Sequence, residues 1–185
     1  MIQDVLKETE TKMKGAIHAL DENLNSIRTG RASPALVERL VVDYYGTPTP
    51  LYQMATINVP EPMLITIKPF DKTSAKSIEK AIQLSDLHLT PTNDGQLIRL
   101  ALPMLTVERR KELVKVVHSR VEEAKVALRN VRRTAIEDLR ELLKEKMISE
   151  DDERLGVEQI TKLTERFSEQ IEATSKQKEH DVMSV

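Results

Sequence analysis

The chain has 185 residues, 39% of them apolar, with 28 basic against 30 acidic side chains and a net charge of −2. That is enough apolar material for one domain or two small ones. The absence of cysteine and tryptophan rules out disulfides, thiolate metal sites and a cysteine nucleophile, and suits a reducing cytosol. No apolar run approaches the roughly 18 to 20 residues of a membrane span. The opening residues Met1-Ile2-Gln3-Asp4-Val5 already follow an amphipathic rhythm, so no signal peptide or transit segment is expected.

In chain order, Ile2, Leu6, Thr9, Met13, Ala16/Ile17, Leu20, Leu24 and Ile27 recur at intervals of three and four. This predicts a helix that ends near Thr29-Gly30. The period then changes. Leu36 to Val42 reads as a β-branched strand, and Tyr44-Tyr45-Gly46-Thr47-Pro48-Thr49-Pro50 as a turn with extended flanks. Met63 to Ile67 reads as a second strand, and Asp71 to Leu84 as a short helix burying Ala75, Ile78 and Ala81/Ile82. Asn93-Asp94-Gly95 is a turn signal leading into a strand over Leu97 to Leu102.

A heptad follows. Val107, Val114, Val117, Val121, Ala124, Leu128, Val131, Ala135, Leu139 and Leu142 predict one unbroken helix of some forty residues, roughly 60 Å long. Ser149-Glu150-Asp151-Asp152 looks like a capped start with acids in the first turn, followed by the stripe Ile160, Leu163, Phe167, Ile171 and Thr174. Three amphipathic helices from the two chain ends can bury their stripes only against one another. The expected fold class is therefore α+β: an antiparallel, coiled-coil-like three-helix bundle from residues 1–30 and 105–185, with a small β/α/β sandwich domain inserted over 31–104. Two crossings, at Thr29, Gly30 and Arg31 and at Pro103, Met104, Leu105 and Thr106, would then act as a hinge.

Charge is segregated along this frame. Residues 106–133 carry nine Lys/Arg against four Glu, while 134–185 carry eight basic against fourteen acidic residues. At about 100° per residue, Lys125, Arg129, Arg132 and Arg133 share an arc of roughly 100° with Val131 pointing away. A basic run on a long helix is often only a solvated face laced with i,i+4 pairs. Here Glu122 is the main nearby acid, which favours a track for a polyanion such as RNA. The pair Tyr44–Tyr45 is read as packing rather than base stacking. The four histidines are scattered, there is no phosphate-binding glycine loop, Gly30 reads as a helix C-cap, and the acids 150–153 read as a helix start rather than a cation site. No enzymatic activity, metal or cofactor is expected.

Five strings carry a resemblance: Ser26-Ile27-Arg28-Thr29-Gly30-Arg31-Ala32-Ser33-Pro34; Tyr44-Tyr45-Gly46-Thr47-Pro48-Thr49-Pro50-Leu51; Glu108-Arg109-Arg110-Lys111; Val126-Ala127-Leu128-Arg129-Asn130-Val131-Arg132-Arg133; and Ile148-Ser149-Glu150-Asp151-Asp152. In order and spacing the whole chain closely resembles the ribosome recycling factor family. The resemblance implies a two-domain, L-shaped protein with the outline of a transfer RNA. It also implies a cytoplasmic monomer that binds the post-termination ribosome between its subunits. With elongation factor G and its GTP hydrolysis, such a protein splits the ribosome.

Carried over residue by residue, Arg132 is the foremost contact to large-subunit ribosomal RNA, with Arg129 and Arg133 beside it and Arg28 and Arg31 as a second cluster. Lys125, Arg110 and Lys111 complete the expected ribosome-binding set, and elongation factor G would meet the small domain. Ala101 and Met104 stand where the family usually has proline, His88 where it favours glycine, and Lys72 where it often has arginine. The alternative is a coiled-coil adaptor whose basic helix docks an acidic protein.

Overall fold

A computed structural model describes residues 1–184. The chain forms α1 (Ile2–Asn25), β1 (Val41–Tyr44), β2 (Thr47–Pro50), β3 (Ala55–Glu61), β4 (Leu64–Pro69), α2 (Ala75–Leu84), β5 (Pro91–Asn93), β6 (Ile98–Ala101), α3 (Val107–Lys144) and α4 (Glu150–Met183). It divides into two compact units. One is Met1–Leu24 with Glu112–Asp181, and the other is Asn25–Lys111 with residues 182–184. The architecture is a helical bundle of α1, α3 and α4 together with a small β-sheet unit.

In the bundle unit the helix directions follow from which residues meet. Along α3 and α4 the partners Leu139 and Gly156, Lys125 and Glu172, and His118 and Glu179 rise on one helix as they fall on the other. Those two helices are therefore antiparallel. Glu10 pairs with Arg166 at 2.8 Å, and Ile2 lies beside Gly156, so α1 runs parallel to α4. The core takes Met13, Leu20 and Leu24 from α1, Val117, Leu128 and Leu139 from α3, and Ile160, Phe167 and Ile171 from α4. This is the 3.6-residue stripe expected of each helix.

Helix α4 starts as its sequence suggests. Ser149 Oγ accepts the Asp152 N–H at 3.2 Å while Asp152 Oδ2 accepts the Ser149 N–H at 3.1 Å, a reciprocal cap. At Gly156 the helices come close enough that a Cβ would lie 2.7 Å from Leu139 Cδ1.

Three helix expectations need adjustment. Helix α1 stops at Asn25, short of Thr29-Gly30, because Asn25 and Ser26 favour local turns over helix continuation. Gly30 is consequently not its cap. Val107 is 58% exposed and Leu113 is buried in its stead, since the first turn of α3 gives its inner position to Arg110.

In the sheet unit, Ser33 Oγ accepts the Ala35 N–H and Pro34 opens a 3-10 turn over Pro34–Leu36. The expected strand over Leu36 to Val42 is thereby confined to Val41–Tyr44, because proline preset at a turn start competes with extension. Strands β1 and β2 form a hairpin turned by Tyr45 (φ 49) and Gly46 (φ 82).

The second sheet is antiparallel with order β3-β4-β6-β5. Its edge strands β3 and β5 carry Pro60 and Pro91, where a missing donor is tolerated. Both strands escaped the sequence reading for that reason, although Ala55, Ile57 and Val59 alternate with exposed neighbours. Asn93 Oδ1 accepts the Gly95 N–H at 2.7 Å, Asp94 Oδ1 accepts that of Leu97 at 2.9 Å, and Gly95 has φ 96, so the expected turn is present. Ile65, Ile67, Ile98 and Leu100 of the sheet bury themselves against Ile78 and Ile82 of α2. His88 adopts φ 52, a left-handed conformation that glycine enters without cost.

Replacing Gly156 by leucine should cost about 1–3 kcal/mol by overpacking, since Leu139 is fully buried. Urea unfolding of the two proteins would measure it. The carboxyls of Asp71, Asp94 and Asp152 lie below the ordinary value of 3.8, held there chiefly by the Thr73 N–H, the Leu97 N–H and the Ser149 hydroxyl respectively. Folded values below unfolded ones contribute stability that is present above about pH 4 and lost as pH falls through the folded values. The urea midpoint should therefore drop as pH falls below about 4, and a midpoint that stays flat on acidification would contradict these assignments.

Candidate nucleic-acid interface

The apolar rhythm of α3 fixes one face inward, and the arginines follow from the helix period. Arg129, Arg132 and Arg133 are exposed, and with Ile136, Glu137 and Arg140 they line a shallow concavity on α3. Among the described residues no hydrogen bond or ion pair within 4 Å engages any of these four guanidinium groups. Arg140 is the residue that sequence reasoning missed. It falls seven positions after Arg133, two helical turns along the same face, but the charge window stopped at Arg133.

Two other cations of α3 are ion-paired, and a histidine meets an acid of α4. Lys125 is half-buried, in contact with Glu172 of α4 and 3.5 Å from Glu122. These partners raise its pKa, with the Glu172 hydrogen bond the largest cause. Arg120 pairs with Glu123 at 3.1 Å, and His118 Nε2 meets Glu179 Oε1 at 2.6 Å. Lys125 is thus a strut between α3 and α4 rather than an open cation.

The second expected cluster lies in the sheet unit. Arg110 is buried and donates to the carbonyl of Val182 at 2.8 Å and to that of Ser184, closing the last turn of α4 as a basic side chain at a helix C-terminus does. Arg28 donates to the Pro103 carbonyl. Burial first, and then the guanidinium groups of Arg109 and Arg110, push its pKa below the ordinary arginine range. Its Nε is the one buried side-chain polar atom without a hydrogen bond among the described residues. Arg31 and Lys111 are exposed.

Thr106 Oγ1 accepts the Arg109 N–H at 3.1 Å and so caps α3. Thr29 Oγ1 reaches the Arg31 carbonyl only at 3.5 Å. Beside these residues, the Ala32 N–H bonds to Pro62 O at 2.7 Å and the Leu102 N–H to Met63 O at 2.8 Å. Met104 is exposed. A Cβ at Gly30 would lie 3.1 Å from the Ser184 carbonyl oxygen, so glycine there admits the chain end.

No cluster of three metal-ligating side chains occurs among the described residues, and no helix there is long and apolar enough to cross a membrane. An α+β protein with a helical bundle that presents uncompensated arginines on one rigid helix is suited to the class of polyanion-binding proteins. Comparison with known proteins narrows this class. The family model for ribosome recycling factor matches residues 20–183.

The ribosome-recycling factors of Roseiflexus sp. (strain RS-1) and Thermomicrobium roseum are 56% and 50% identical to the chain, each over the full length of both proteins. A solution structure of a ribosome recycling factor superposes with a TM-score of 0.77 at 43% identity, covering 100% of this chain and 98% of that one. A structure of the Thermus thermophilus ribosome recycling factor, described with Escherichia coli elongation factor G bound to the E. coli post-termination complex, gives a TM-score of 0.67 at 39% identity over 100% of both chains. The chain belongs to the ribosome recycling factor family.

Arg110→Ala should leave two carbonyls at the end of α4 without their charged donor. Amide exchange near residues 180–184 should then accelerate about tenfold or more, read by hydrogen–deuterium exchange, with the rest of α4 unchanged.

Proposed function

We propose that this chain binds the post-termination ribosome in the cytoplasm and, acting with elongation factor G, separates the subunits for a new round of translation. Its relatives carry the name of that task, and one solved relative is described together with elongation factor G on a post-termination complex. The observation that carries the reading for this chain is the set of unpaired guanidinium groups at Arg129, Arg132 and Arg133. Arg140 extends the same face.

A planar guanidinium forks onto phosphate or stacks on an exposed base. A helix of 38 residues gives these groups a stiff frame. Arg28, Arg31 and Lys111 supply a second basic surface toward large-subunit RNA, while Lys125 and Arg110 serve by holding helices in place. Residues 1–30 and 105–185 act as the RNA-binding domain and 31–104 as the domain that elongation factor G engages. The segments 29–31 and 103–106 form the hinge. The chain performs no chemistry: GTP hydrolysis belongs to elongation factor G, and this protein works as a monomeric lever.

Light scattering of post-termination ribosomes should fall only when this protein, elongation factor G and GTP are all present, and Arg132→Ala should abolish or slow the fall. Arg132→Ala should also weaken binding to ribosomes and reduce the slope of log K against log salt by about 1, since one phosphate contact fewer releases fewer counterions. Unchanged affinity and slope would remove Arg132 from the interface. Binding that survives nuclease digestion of the ribosomal RNA would favour docking on an acidic protein.

A further inference from the structure

The chain has only three tyrosines and two phenylalanines, and four of these five, Tyr44, Tyr45, Tyr52 and Phe70, lie in one part of the sheet unit. Two of them, Tyr44 and Phe70, line a concavity of about 220 Å³ with Gln53, Met54, Asp71 and Ser74 among others. The Tyr45 ring meets that of Tyr44 edge-on with centroids 4.7 Å apart, and its hydroxyl lies 3.0 Å from Thr73 Oγ1. Gln53 Nε2 donates to the Tyr52 hydroxyl at 3.1 Å.

Folding does not account for the Tyr45 and Phe70 rings. Tyr45 is 78% exposed and Phe70 69%, so only Tyr44 of the expected packing pair packs against the core. Tyr45 also occupies a turn position at φ 49, where asparagine, aspartate or glycine is favoured and a bulky side chain is strained. Strain retained at an exposed position points to function.

The chemistry of the concavity selects its occupant. Small-molecule sites begin at roughly 300 Å³, and this one is smaller, on the scale of one inserted side chain. Its lining holds Asp71 and neither lysine nor arginine, so a phosphate backbone would find no partner there. Thr73 satisfies Asp71 Oδ1 twice, at 2.9 and 2.8 Å, whereas the Tyr45 hydroxyl reaches Oδ2 at 3.4 Å and the Tyr44 hydroxyl is a further, weaker partner of the carboxylate. The Thr73 N–H in particular keeps that carboxyl below the usual aspartate range and therefore ionised. Aromatic faces beside a carboxylate with spare accepting capacity make a receptor for a guanidinium.

We propose that this concavity docks a basic segment of a partner protein, one arginine of which lies against the Phe70 and Tyr44 rings with its guanidinium turned to Asp71. The site is separate in sequence and in charge from the arginine face of α3.

The test is fluorescence anisotropy with the full chain and a short labelled arginine–glycine peptide, against the same peptide with citrulline in place of arginine. Tyr45→Asn places a favoured residue in the turn, so it should preserve or raise thermal stability while weakening the arginine peptide about tenfold. Phe70→Ser and Asp71→Asn, the latter keeping a capping side chain, should weaken it similarly, and citrulline should bind poorly to all forms. Wild-type affinity in all three variants would mean that the peptide rides on the acidic surface of α4, and the proposal would fail. It would fail equally if citrulline bound as well as arginine. A labelled oligouridylate whose affinity depended on Tyr45 and Phe70 but not on Arg132 would make the occupant a nucleic acid and overturn it. None of these readouts uses ribosomes, so they stand or fall apart from the recycling role.

Discussion

The packing of α3 against α4 is the constraint on which the arginine face depends. Leu139 fills the space left by the missing side chain of Gly156, and Ile160, Phe167 and Ile171 continue the seam. Because these contacts fix the rotation of α3 about its own axis, they also fix where Arg129, Arg132 and Arg133 point. A helix without that seam would still be basic. It would not hold guanidinium groups on one arc while presenting no acid within ion-pairing distance of them.

The sheet unit is organised by backbone chemistry more than by hydrophobic rhythm. Its turns rest on side chains that accept backbone N–H groups, at Asp43, Asp71, Asn93 and Asp94, and on positive φ at Tyr45, Gly46, His88 and Gly95. Two of these four positions are not glycine. At His88 nothing beyond the local turn explains the residue. At Tyr45 the neighbouring rings and Asp71 make the strained conformation part of a coherent surface.

The helices were legible because a long stripe repeats its signal many times: α3 and α4 lie where their heptads and the Ser149 cap put them. Short strands repeat nothing, and proline obscures them further. Pro60 and Pro91 hid β3 and β5, and Pro34 turned the apolar run at Leu36-Val37 into a 3-10 turn. The basic residues were legible as a group but not one by one. A helical wheel puts Lys125 and Arg132 on nearly the same bearing, and it carries no information about which neighbouring helix brings an acid to one and not the other.

That last difference follows from the chain's uneven charge. Residues 134–185 hold fourteen acidic side chains, and two of them, Glu172 and Glu179, meet Lys125 and His118 across the α3–α4 seam. Exposed pairs of this kind contribute little stability. Their larger effect is local: α4 neutralises Lys125 on the seam, while Arg129, Arg132 and Arg133 keep full charge. Arg132 is separated from Lys125 by only two turns of helix, yet no acid of α4 engages it among the described residues. An acidic helix packed beside a basic one thus removes charge along the seam and leaves Arg129, Arg132, Arg133 and Arg140 without an ion pair among the described residues.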